Sequence, residues 1–90
     1  MARANVDPAE LRRFARDLSR FSGELQTMMA GLHARAQDLA TSWRDQEQAK
    51  FAEEMDQAIR TLARFLESAN RHVAFLNKKA AHVEEYLKQR

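Results

Sequence analysis

Residues 55–87 read MDQAIRTLARFLESANRHVAFLNKKAAHVEEYL. Within them Met55, Ile59, Leu62, Leu66, Ala69, Val73, Leu76, Ala80, Val83 and Leu87 recur at spacings of four and three in strict alternation. A helix of 3.6 residues per turn lays all of these side chains along one seam, whereas a strand needs a period of two. Beside the seam runs a second apolar row, Phe51, Ala58 and Phe65, continued by His72, with Phe75 and Tyr86 nearby. The pattern predicts a helix over about 45–88 with more apolar surface than one neighbouring helix can cover.

Working towards the N-terminus, Asp7-Pro8-Ala9-Glu10 is a helix start, with Asp as N-cap, Pro at the first helical position and Glu three residues after the cap. Met1 to Val6 reads as a short disordered lead. Leu11, Leu18, Leu25, Leu32 and Leu39 then repeat every seven residues. Phe14, Phe21 and Met28 form a row three residues later, which Arg35 interrupts, and Ala15, Ser22, Met29 and Ala36 form a row of mostly small residues alongside. This stripe predicts a first helix over about 8–40. Gly23 and Gly31 lie inside it, each costing about 1 kcal/mol relative to Ala, and are placed on an outer face or at a close helix approach, with a functional hinge as the alternative.

Between the helices, Thr41-Ser42-Trp43-Arg44-Asp45 supplies a turn, and Asp45 with Gln48 three residues on makes a second capping pattern. A link this short forces the helices antiparallel, at lengths of roughly 45 and 65 Å. The expected fold is all-α, a single domain over 1–90 consisting of one two-helix hairpin. A hairpin has no third layer, so association is expected to complete the core. The simplest partner is a second copy or a similar hairpin, closing a four-helix bundle. Leu18, Leu25, Met29, Phe51, Leu62, Phe65, Leu66 and Phe75 are the expected interface residues.

Charge orients that assembly. Residues 1–37 sum to +2, residues 38–57 to −4 and residues 58–90 to +4. Folding the hairpin gathers both basic segments at its open end and leaves the acidic segment at its turn. Two hairpins packed head to tail match acid to base, which selects orientation more than it adds stability.

The composition excludes much else. There is no cysteine, so there is no disulfide, no thiolate metal site and no cysteine nucleophile. No cleaved signal peptide is expected, and no run of about 20 apolar residues offers a membrane span. His33, His72 and His82 lack the spacing of a zinc motif. Glu53, Glu54 and Asp56 diverge around a helix axis and do not converge on a substrate. No phosphate loop or nucleophile elbow is present. Neither a cofactor nor an enzymatic activity is therefore expected. Arg12, Arg16 and Arg20 share a helix face that a phosphate backbone could follow, but Asp17 and Glu24 interrupt it, and no nucleic-acid partner is expected.

The stretch Leu39-Ala40-Thr41-Ser42-Trp43-Arg44-Asp45-Gln46-Glu47-Gln48-Ala49-Lys50-Phe51 resembles the linking turn of the WXG-100 (ESAT-6-like) proteins, small substrates of bacterial type VII secretion. It has a Leu four residues before Trp, then a small residue and an aromatic at Ala49 and Phe51. Asp45 stands where the motif has glycine. The family's C-terminal signal, Tyr followed four residues later by an acid, is met by Tyr86 but has Arg90 in the acidic position. The resemblance implies a helical-hairpin dimer that is secreted without a cleaved signal peptide and is cytoplasmic before export. It further implies that the turn at Trp43, Arg44 and Asp45, together with a partner's Tyr86 segment, is read by a secretion ATPase. The alternative expectation is a cytosolic helical-bundle adaptor or a heterodimer subunit with no export role.

Overall fold

The computed structural model of the chain describes residues 6–89; residues 1–5 of the expected N-terminal lead, and Arg90, lie outside the described residues. The chain forms two long helices, α1 (Pro8–Ser42) and α2 (Glu47–Lys88), with no strand among the described residues. Asp7 caps α1, its carboxylate accepting the Ala9 N–H at 2.9 Å. The helix runs past the end expected near Ala40. Thr41 and Ser42 turn their hydroxyls back onto the Asp38 and Leu39 carbonyls, at 2.7 and 3.2 Å, and the Trp43 N–H closes on the Leu39 carbonyl at 2.9 Å. The two hydroxyls of the last turn are thus satisfied by the helix's own backbone.

The helices pack antiparallel, as the contacts Arg12–Glu84 and Phe21–Phe65 require. The molecule measures 69 × 19 × 13 Å, so along its thinnest direction it is one helix deep. Its buried residues are Ala15, Ser22, Ala69, Ala80 and Val83, and no large side chain is fully buried among the described residues. In α1 the helix–helix contact is therefore centred on the small-residue row. The Phe14, Phe21, Met28 row flanks that contact and turns outward. Leu18, Leu25, Met29, Leu62 and Leu66 are half-buried along the seam.

The hairpin leaves much apolar surface in water. It exposes 7227 Å², where a compact monomer of this mass exposes about 5400 Å². Its radius of gyration is 20.2 Å, against about 12 Å for a compact domain of this length.

Candidate functional site

Two features stand out, one on a face and one at an end. The face is aromatic. Phe14, Phe21 and Met28 recur on α1, and Phe65 and Phe75 lie on the corresponding flank of α2. Phe21 and Phe65 meet edge to face, with ring centroids 6.2 Å apart, and join the two rows into one surface. Phe14 is 58% exposed, Met28 60% and Phe75 62%. Scattered single apolar residues on a surface are ordinary, whereas rows that meet across two helices are not.

The end is the turn at residues 43–46. Trp43 leaves the helix with φ −93° and ψ 112°, which swings its ring across the hairpin onto Phe51 at 5.2 Å between centroids and 44° between planes. Its indole N–H donates to Asp45 Oδ1 at 2.7 Å, and the same oxygen accepts the Glu47 N–H at 2.9 Å. Asp45 thus caps the start of α2, although the residue next to the helix, Gln46, is itself in helical conformation without a side-chain cap. The Gln48 N–H donates to the Asp45 carbonyl at 3.2 Å. Arg44 points outward, its guanidinium donating to the Thr41 carbonyl at 3.4 Å. Behind the tryptophan lies a cleft of about 270 Å³ walled by Leu39, Ala40, Phe51 and Met55, with His33 and Asp56 also lining it.

Phe51, which the sequence alone groups with surface left for a partner, is half-buried and packs on Trp43 of its own chain. Phe65 and Phe75 are exposed. Tyr86 is 41% exposed near the open end. Trp43 and Tyr86 of one chain therefore stand at opposite ends of a 69 Å molecule and share no site within it.

Arg12, one of three arginines on a helix face, is engaged elsewhere. Its guanidinium grips Glu84 with two bonds, Nε to Oε2 at 3.0 Å and a terminal nitrogen to Oε1 at 2.8 Å. These bonds hold the Glu84 carboxyl below the usual carboxylate range, opposed by partial desolvation and reinforced by the arginine charge. The guanidinium is held protonated more firmly for the same reason. The face offered to a phosphate backbone is reduced accordingly. Periodicity gives no sign of this pair. Nor does chain arithmetic, since Arg12 lies 30 residues before the end of α1 and Glu84 37 residues after the start of α2, an axial offset of about 10 Å that two long side chains bridge.

Among the described residues no three His, Asp or Glu side chains cluster as metal ligands, and no helix is long and apolar enough to cross a membrane. The model of the WXG100 family, described as proteins of 100 residues with WXG, matches residues 3–86. No curated protein and no solved structure matches the chain.

Proposed function

The chain belongs to the WXG100 family, and we propose that it acts by protein–protein binding, as a helical-hairpin dimer exported by a bacterial type VII secretion system or pairing with an exported hairpin. Family membership makes it a small helical protein related to type VII secretion. The observation that carries the finer reading is the aromatic face across Phe14, Phe21, Phe65 and Phe75, left open by a hairpin that exposes about 1800 Å² more than a compact monomer of its mass. Burying one Phe contributes about 1.5–3 kcal/mol, and an obligate homodimer covers roughly 2000 Å² or more. A second copy laid head to tail covers the face, closes a four-helix bundle and sets the acidic turn of one chain beside the basic open end of the other. Trp43 of one chain then stands near Tyr86 of its partner, and this composite end is what the secretion ATPase reads. Export proceeds from the cytoplasm.

Asp45 in place of the motif's glycine, and Arg90 in the acidic position of the C-terminal signal, favour a second reading. In it the chain is a heterodimer subunit or cytosolic adaptor with no export role of its own. One experiment separates the two. With the secretion apparatus present, the wild-type chain is secreted and the Trp43→Ala chain is retained; absence of both from the medium supports the adaptor. Sedimentation of the purified chain is expected to give a dimer, and a stable folded monomer at micromolar concentration contradicts the homodimer.

A further inference from the structure

Among the described residues no backbone takes a positive φ, so the turn makes no conformational demand for glycine at position 45. The side chain placed there makes two bonds with one oxygen. Asp45 Oδ1 accepts the Trp43 indole N–H at 2.7 Å and the first backbone N–H of α2, from Glu47, at 2.9 Å. The indole has a single polar atom, and it is only a donor. With that donor held inside its own chain, the ring keeps nothing but its π faces and edges for another molecule, and its tilt against Phe51 is fixed from both sides. Phe51 sets the ring by contact and Asp45 sets it by a bond anchored to the start of a helix.

We infer that Asp45 is a positioning residue, locking the Trp43 indole against Phe51 so that recognition at the turn goes through the apolar ring and not through its N–H. This rests on the reading of Trp43 as a recognition residue. Asp45 acts through the tryptophan, and it puts a fixed side-chain bond at the motif's third position.

The full-length chain, labelled with ¹⁵N, gives the test through its single indole N–H resonance. Asp45→Asn keeps an acceptor oxygen and Asp45→Ala removes it. The indole N–H is expected to exchange with water about fivefold faster in Asp45→Ala than in the wild type, the factor set by one hydrogen bond of ordinary net strength. Asp45→Asn should restore the slow rate. In cells carrying the secretion apparatus, Asp45→Ala should lower the secreted fraction several-fold, with Asp45→Asn again restoring it. Equal exchange in Asp45→Ala and wild type overturns the inference. So does full export of Asp45→Ala where Trp43→Ala is retained. Should Trp43→Ala itself be exported normally, the recognition reading fails, and the exchange rates alone still decide whether Asp45 holds the ring.

Discussion

At the open end of the hairpin, Ala15 of α1 and Ala80 and Val83 of α2 are buried, and Arg12 grips Glu84 across the top. At the turn end, no residue between Gly23 and Ser68 is buried, and Trp43 leans on Phe51 beside a cleft of about 270 Å³. The same two helices thus bury side chains at the open end and none around the turn. The open end is closed by the hairpin's own residues, whereas the turn end keeps an apolar cavity with room for added side chain. Under the proposed function, the packed end and the recognition end are therefore opposite ends of the molecule.

The largest expected effect comes from making one substitution at both ends. Ala80→Leu places three extra carbons where no space exists, since Ala80 has no exposed surface. It is expected to destabilise by about 1–3 kcal/mol, or roughly 4–8 °C in Tm for each kcal/mol. Ala36→Leu points similar bulk into the turn cleft, which Ala36 lines. It is expected to be neutral or to stabilise by up to about 1 kcal/mol. Thermal unfolding at one fixed protein concentration checks both. Equal destabilisation at the two sites would erase the contrast.

Next in size is Trp43→Ala, which removes the ring contact with Phe51 and widens the cleft. Because Trp43 is only half-buried, the cost should be about 1–2 kcal/mol, less than for a fully buried ring. Denaturant unfolding measures it. A loss above about 4 kcal/mol, the range of a fully buried ring, would make the turn a second core and not a recognition end.

Much of this was legible in the sequence. Asp7 and Pro8 mark the start of α1 and Asp45 the turn, and the unbroken four-three alternation marks α2, because caps and periodicity are local properties of the chain. The rows of α1 were legible too, but not their ranking. The heptad of leucines and the phenylalanine row draw the eye to the large residues, yet the buried positions are Ala15 and Ser22. Which row faces the other helix depends on how closely two backbones can approach, and that is a property of the pair. The Trp43–Asp45 bond escaped for a related reason. Its two residues both lie in the turn, but the direction of the indole is set by Phe51 on the other helix. The proposed face-to-face assembly is readable only as an excess of apolar surface, which names no partner.

A smaller effect tests whether the two halves differ in backbone as well as in packing. Gly23 lies towards the open end, and an added Cβ there meets nothing within 4 Å. Gly31 lies nearer the turn, where the closest atom is the mobile tip of Arg35 at 4.0 Å. Gly23→Ala and Gly31→Ala are each expected to stabilise by about 0.5–1 kcal/mol through helix propensity alone. Equal gains confine the difference between the ends to side-chain packing. A gain at one site with weakened dimerisation at the other would locate a partner's approach at that glycine.

The least expected effect, and the one that isolates the open end, is the pH response of the Arg12–Glu84 pair. The two side chains remain 37% and 42% exposed, so solvent and salt screen much of their attraction. The sign is nevertheless fixed. Glu84 has its carboxyl pKa lowered in the folded chain, so its contribution to stability is complete above the ordinary carboxylate pKa of about 4. It is lost as pH falls through the lowered folded value. Glu84→Gln keeps hydrogen-bonding capacity but removes the charge. Its Tm should fall slightly below the wild type at neutral pH, and the two should converge as the solution is acidified below about pH 4. Salt added at neutral pH should narrow the same gap. Hydrogen exchange should place the change in the first turns of α1 and the last turns of α2, leaving the Trp43 indole unaffected. A change that reached the turn would mean that the two ends are coupled along the helices, and the division between a stable end and a recognition end would have to be given up.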